Sequence, residues 1–461
     1  MVAATQRRLC SLKLSMLVTL VSIFRFAVTS SDAFRFELPS ITKGRPLNSL
    51  KATADRQRIS DFAYNFHEFV LDKLINTQAP LDFTKPQTLL QSPVPKKDSQ
   101  RRTIDSITKY NRIPTWPVSN GLWFQSVERV NPKLAVALED RYGGADCPQI
   151  FLNDPDLRQR ASPFLMLCHH NHSFNLVDPT RLVEKGIIPE GFPSHAHRGM
   201  ITLTIVLRGG LKHRDSMGIQ QEFGTHPRYK GKHTQWLHFG AGVVHELMWD
   251  NNSYNIARAP TVVHQEIYQL WLDLPSDLRM TPPSVNLLGG SEETPTVTDS
   301  RTETLIIVGS HNRVKAKCTD IELPYDVSVL KVQMKPNSQW MHSTHHETII
   351  LYVRKGSIVV EGKLVSGHCT AMVSTSGELR IQSQSDGADI LVMTGMPLGQ
   401  AVEAKGSMVV ETGESLNQAF QDSNDNRMGM PWKETLTDSE WLAHVQIHPC
   451  QYDKKYNRNN I

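Results

Sequence analysis

Two histidines separated by one residue, His195 and His197 in GFPSHAHRGMITLTIVLRGG, stand at the entry to a run of alternating apolar and threonine residues. In a strand, side chains two apart share a face, so both imidazoles can reach one ion inside a β structure. Neutral imidazole nitrogens suit iron, zinc, copper and nickel. A third donor is available in WLHFGAGVVHELMWD, where Gly240 and Gly242 permit a tight turn and Val243, Val244 and His245 resume a strand. If His245 faces inward, the next inward position is 247, which is leucine, and Glu246 faces the other way. Only a β-bulge would turn Glu246 inward, as a ligand or as a catalytic base. No other catalytic residue is assigned by the pattern.

Three further groups contain histidine. CHHNH, with His169 to His172, reads as an exposed loop rather than as a second metal site. His213 and Asp215 in KHRDS suit the anchoring of a strand end by hydrogen bonds, and His238 has the parity of a residue lining the cavity.

The elements that must position these side chains are short strands. MITLTIVL, TQWLHF, IYQLWLDL, TLIIVGS, VSVLKVQM, TIILYV, SIVVEG and DILVMTG are punctuated by Gly, Pro and Asp. Such spacing predicts an all-β fold. The strand, glycine turn, strand pattern around LRGG at Leu207 to Gly210 returns around RKGS at Arg354 to Ser357, which predicts two β-barrels in tandem. Few helices are expected. An amphipathic one is read from Ile59 to Ile75, packing on the main body, followed by a proline-rich linker, and a closing helix is read around Leu416 and Phe420. The resulting division is a presequence at 1–46, an extension at 47–120, a first barrel with the metal site at 121–290, a second barrel at 300–440 and a polar tail at 441–461.

Composition narrows the function. The 461 residues are 39% hydrophobic, enough for real cores, and carry a formal net charge of only +4 with the basic residues scattered. Direct nucleic-acid binding is therefore not suggested. The six cysteines show no C-x-x-C pair and read as reduced thiols. The N-terminus has Arg7, Arg8 and Lys13, an apolar core from Leu14 to Phe24 and small residues around Ser30 to Ala33, the layout of a cleaved signal. The Ser-, Thr-, Lys- and Arg-rich stretch after it has transit-peptide composition. Together they resemble the bipartite presequence of algae with secondary plastids, which predicts a plastid location, with secretion or an endomembrane lumen as the alternative. The mature protein is not expected to be embedded in a membrane.

The stretches SPFLML, GFPSHAHRGM, GGLKHRDSMG, TQWLHFGAGVVHELM, YQLWLDLPSDLRMTPP and LVMTGMPLGQAVEAKGSMVVETGESLNQAFQDSNDNRMG occur in the order found in pirins, from about Leu122 to Trp432. The chain thus resembles the pirin family, two-barrel cupin proteins of jelly-roll type. The resemblance implies an N-terminal cupin binding Fe(II), or another divalent transition metal, through His195, His197 and His245. The family's fourth ligand, a glutamate, falls on Leu247. A three-imidazole site would leave Fe(II) with one more unit of positive charge than the family site. The second barrel has His342, His345, His346 and Glu347, but the cupin positions there fall on Ser343, His345 and Ile349, with His368 near a turn, so no metal is expected in it. Two activities are implied: a quercetin 2,3-dioxygenase type of oxidoreductase acting on a small aromatic, flavonol-like substrate, or a metal- or redox-responsive module that binds a protein partner, like a transcription co-regulator. A scaffold with a degenerate site is the third reading.

Overall fold

The computed structural model describes residues 101–109, 159–177, 190–251, 262–317 and 326–454, and the backbone of Gln87–Leu89, Gly143–Ala145 and Gln149–Ile150. The presequence, the helix read at Ile59 to Ile75, the linker and Cys10, Cys147 and Cys318 lie outside the described residues.

The first unit is two antiparallel sheets. Strands β2 (Phe164–Asn175), β4 (Met200–Arg208), β7 (Lys232–His238), β9 (Val262–Asp273) and β10 (Ser284–Gly289) form one, and β3 (Gly191–His197), β5 (Gly210–Asp215), β6 (Gln220–Gly224) and β8 (Val243–Trp249) form the other. The inward side chains of the first sheet alternate along the strands, apart from register shifts such as the one that leaves Leu165 of β2 unpaired with β9. Met166 and Cys168 from β2, Met200 from β4 and Trp271 from β9 pack with Val243 of β8. Their neighbours Leu167, Leu203, Ile205, Leu270 and Leu272 point the opposite way and meet Val329, Ile350, Tyr352, Leu391 and Met393 of the second unit. Both faces of this sheet are therefore buried, which is why its strands read as continuous apolar runs. Each such Leu or Ile contributes about 1.5–3 kcal/mol by leaving water.

The second unit is one large antiparallel sheet in which β14 (Thr348–Val360) and β17 (Leu379–Gly395) pair along their length, flanked by β11 (Thr302–Val308), β12 (Val327–Met334), β13 (Gln339–His342), β15 (Lys363–Ser366) and β16 (Cys369–Val373). Its edge receives a strand from the N-terminal extension, β1 (Ile104–Lys109), which pairs with β16. Ile104 is 2% exposed there, and Arg102 just before it is buried with its guanidinium bonded to the carbonyls of Thr344, His346, Ser374 and Gly377. The extension is thus part of the second unit's core.

After β17 the chain returns to the first unit. A small hairpin, β18 (Glu403–Lys405) and β19 (Met408–Val410), is followed by α1 (Gly413–Asn424), the helix read from Leu416 and Phe420. The segment read as a polar tail holds a second helix, α2 (Asp438–Ile447), started by a capping box of Thr437 and Glu440. Trp441 and Val445, four apart, bury one side of it against Trp432, Met428, Ala196 and Val244, the outer side of the β3–β8 sheet. The boundary read at 440 does not separate these packed residues. Arg198, just after β3, fastens the segment by its ion pair with Asp422 at 2.7 Å, both side chains being buried. No helix of the described residues is long and apolar enough to cross a membrane, and no disulfide is formed among them.

The turn before β8 needs its glycines. Gly240 has φ of +48° and Gly242 of +123°, and a Cβ at Gly240 would lie 2.0 Å from the Thr281 carbonyl oxygen. Gly240→Ala is expected to destabilise the protein by at least ~1–3 kcal/mol and to displace β8, read as a lower urea midpoint.

Candidate metal centre

The three histidines picked from sequence spacing come together. β3 and β8 pair antiparallel with His245 opposite His195, and one donor nitrogen from each of His195, His197 and His245 lies within 4.8 Å of the others. The Nε2 atoms of His195 and His197 are 2.8 Å apart. Two ligands at about 2.0–2.1 Å from one ion and near a right angle would stand about 2.9 Å apart, so this spacing suits a shared ion. Nδ1–H of His195 donates to the Pro193 carbonyl at 2.6 Å, which turns Nε2 toward the cluster. Both ring nitrogens of His245 and Nδ1 of His197 are buried without a hydrogen-bond partner. Buried polar atoms are rarely left so, and a metal at the cluster would give one nitrogen of His245 the partner it lacks.

The surroundings keep the imidazoles neutral. His197 and His245 are each 2% exposed, and burial, with the neighbouring imidazoles adding to it, pushes both far below the ordinary histidine range. The Phe239 ring stacks on His197 at 4.3 Å, and Trp271 meets it edge-on at 5.3 Å. His195 is the one partly exposed member, so it marks the open side of the centre.

A register shift does occur between β3 and β8, but on the other strand. His245 pairs with His195 and Leu247 with Phe192, so the extra residue lies in β3, while β8 pairs with β5 in unbroken register. Glu246 is consequently not turned inward. Its carboxylate is paired with the Arg214 guanidinium, and Arg214 also donates to the Leu436 carbonyl at 2.8 Å. Burial raises the Glu246 carboxyl and Arg214 partly offsets it. Leu247 faces inward and is 1% exposed, packed with Phe174, Phe192, Trp249 and Ile267. Opposite it on β5 is His213, whose Nε2 lies 3.0 Å from Asp215 Oδ2, while Asp215 Oδ1 accepts from the backbone N–H groups of Met217 and Ile219. The His213 ring stands 5.6 Å from that of His245, and its Nδ1 is buried without a hydrogen-bond partner.

The CHHNH stretch is not a loop. It lies within β2, and His169, His170 and His172 are each 1% exposed. His170 and His172 point into the first unit, with His170 against Phe192 and His172 against Trp249. Burial, with His169 adding to it, holds His172 down to about 3. His169 points the other way, between the units, where its ring nitrogens meet Tyr352 Oη at 2.7 Å and Glu266 Oε1 at 2.9 Å. None of the three joins the metal cluster. His238 bonds to Thr281 Oγ1 at 2.9 Å and also stays outside it. In the second unit His342 stacks on Trp340 and contacts His311, whereas His345 and His346 gather around Asp326.

Family profiles match both units. The profile described as Pirin covers residues 149–272, and the one described as Pirin C-terminal cupin domain covers residues 329–429. A Pseudomonas aeruginosa protein that carries a provisional quercetin 2,3-dioxygenase name is 27% identical over 280 residues, covering 58% of this chain and 87% of the relative. Pirin-1 of Arabidopsis thaliana is 27% identical over 264 residues, 55% of this chain and 84% of the relative. The crystal structure of quercetin 2,3-dioxygenase from Acinetobacter baumannii has a TM-score of 0.51 at 25% identity, covering 62% of this chain and 93% of that one. With its two units matched in order and its histidine cluster in the first of them, the chain belongs to the pirin family of the cupin superfamily and has the bicupin architecture.

Proposed function

We propose that His195, His197 and His245 hold a divalent transition metal, Fe(II) first among them, and that the protein is a dioxygenase-type oxidoreductase for a small aromatic, flavonol-like substrate. We read the two sheets of the first unit as a barrel closed around that centre. The observation that carries the proposal is the convergence of three buried or half-buried imidazoles, with both ring nitrogens of His245 buried and without a hydrogen-bond partner. Fe(II) bound there would supply Lewis acidity toward a hydroxy-keto oxygen pair and a partner for O2.

The chain's own residues do the rest. Phe239 and Trp271 wall the centre and exclude water. Phe192 and Trp249, with Leu247, form an apolar cluster on the inward side of the first unit, the kind of wall a flat ring packs against. With Glu246 held by Arg214, a phenolic proton is taken by another group. His213 is placed for it: Asp215 fixes the ring through Nε2, and the unpartnered Nδ1 is the atom that accepts.

A second reading is favoured by one contact. The outer side of β8 carries Val244 and Glu246 against the C-terminal segment, where Arg214 links Glu246 to the Leu436 carbonyl. A change of metal state at His245 is one residue away from this surface, as a metal-responsive protein-binding role requires. For location, the presequence composition supports a plastid.

Iron-loaded protein is expected to consume O2 with quercetin, and His195→Ala to lower the rate at least 100-fold. Oxygen-electrode traces with no turnover by the iron-loaded protein, or with turnover intact in His195→Ala, would overturn the enzymatic reading.

A further inference from the structure

We propose that Asp326, His345 and His346 form a second metal site, at the rim of the second unit, for a borderline divalent transition ion such as Zn2+. Of the cupin positions only one falls on this cluster, at His345, so the site is not the cupin one and reverses the expectation of a metal-free second unit. Asp326 stands at the start of β12, and His345 and His346 lie in the loop between β13 and β14. Their donor atoms, one from each residue, lie within 4.8 Å of one another. Asp326 Oδ2 is 2.8 Å from His345 Nε2, and Oδ1 is 3.0 Å from His346 Nε2.

The alternative use of such a cluster is a surface ion pair, and His346 argues against it. Its Nε2 is buried and makes no hydrogen bond, although Asp326 Oδ1 is 3.0 Å away. The distance suits a hydrogen bond, but the direction from the ring does not. The other ring nitrogen is spoken for, since Nδ1 of His346 is 2.7 Å from Thr394 Oγ1, and Thr394 is fully buried. In the tautomer that carries its proton on Nδ1 and gives it to Thr394, Nε2 has its lone pair for a metal. Fixing one ring nitrogen by a hydrogen bond is how proteins aim the other at a metal.

The loop is also held in place from behind. The buried Arg102 donates from Nη2 to the carbonyls of Thr344 and His346 at 2.9 and 3.0 Å. The N-terminal extension thus sets the geometry of a cluster more than 200 positions away in the chain. The His345 and Asp326 side chains are 73% and 56% exposed, so two ligands face water and an ion would keep open positions for solvent or an added ligand. Two imidazoles and one carboxylate suit Zn2+, Cu2+ or Ni2+, and the Arg102 charge nearby weakens rather than forbids cation binding.

The test uses the untagged full chain with the first centre removed by His195→Ala and His197→Ala, stripped with chelator and equilibrated with Zn2+ alone. Elemental analysis after dialysis is expected to find about one Zn2+ per chain. Adding His345→Ala, a change at an exposed position that should leave the melting curve unmoved, is expected to weaken binding at least tenfold, and Asp326→Asn to do the same. Absence of Zn2+ from the double variant would overturn the proposal, as would Zn2+ retained unchanged after His345→Ala and Asp326→Asn.

Discussion

Leu247→Glu is expected to turn this protein into one whose stability depends on its metal. Leu247 shares the inward face of β8 with His245 and is packed among Phe174, Phe192, Trp249 and Ile267. A carboxylate placed there without a metal is a buried charge in an apolar cluster, with only the His213 side of β5 to answer it. The metal-free variant should lose several kcal/mol, because such a group must either find a partner or take up a proton. With Fe(II) present, the carboxylate adds a fourth, anionic donor beside three neutral imidazoles and offsets that cost. The expected result is a metal-free variant melting well below the metal-free parent, recovery on adding Fe(II), and iron retained against chelator at least tenfold better than in the parent. A variant whose melting temperature ignores Fe(II), with iron content equal to the parent's, would show that position 247 does not face the centre. The parent protein, with three imidazoles, is the weaker binder of the two.

Glu266→Gln is the second large effect, and it concerns how the two units are joined. Glu266 lies on β9 of the first unit and reaches Arg354 on β14 of the second through two bonds of 2.7 Å, while Arg354 also bonds to Asp389 at 2.7 Å. The side chains of Glu266 and Arg354 are 6% and 11% exposed. His169 adds a third bond to the same carboxylate and a bond to Tyr352 on the far side. Removing one partner of a buried pair leaves the other uncompensated, so a loss of about 3–5 kcal/mol is expected in urea unfolding. A loss under ~1 kcal/mol would contradict it.

The same group gives a pH dependence. Burial alone would raise the Glu266 carboxyl, but the hydrogen bonds from His169 and Arg354 outweigh it and hold the group well below the usual carboxylate range. A depressed folded-state pKa contributes stability in full above the unfolded value of about 4.3, and that contribution is lost as pH falls toward the folded value. The stability gap between parent and Glu266→Gln should accordingly be constant above pH 5 and narrow below about pH 4.

How much of this was legible follows from which contacts are local. Strand alternation was enough to put His195 and His197 on one face, to find His245 after Gly240 and Gly242, and to separate Glu246 from it, because period two is a property of the strand itself. The position of the extra residue was missed: it sits in β3, at the Phe192 to His195 step, where Pro193, a residue type confined to the edges and bulges of sheets, marks it. The histidines of β2 were misread as a loop because the expected alternation is of apolar and polar residues. Here both faces are buried, and polar side chains are answered from elsewhere. His169 finds Tyr352, 183 positions away, and Glu266, 97 away, and no window on the chain contains those pairs. The same holds for Arg102 and the loop at Thr344 to His346. In the C-terminal segment the signal was present and outweighed: Trp441 and Val445 have helical spacing within a stretch otherwise rich in charge and amide. Asp326 carries no spacing relation to His345 and His346, since β12 and β13 intervene.

Anomalous diffraction at the iron edge, from crystals of protein loaded with Fe(II) without oxygen, tests the central claim most directly. The account predicts one strong peak in the first unit, about 2.0–2.2 Å from a ring nitrogen of each of His195, His197 and His245, with no carboxylate of Glu246 in contact and Leu247 beside it. A first unit without an iron peak, or a peak bound through Glu246 freed from Arg214, would contradict it.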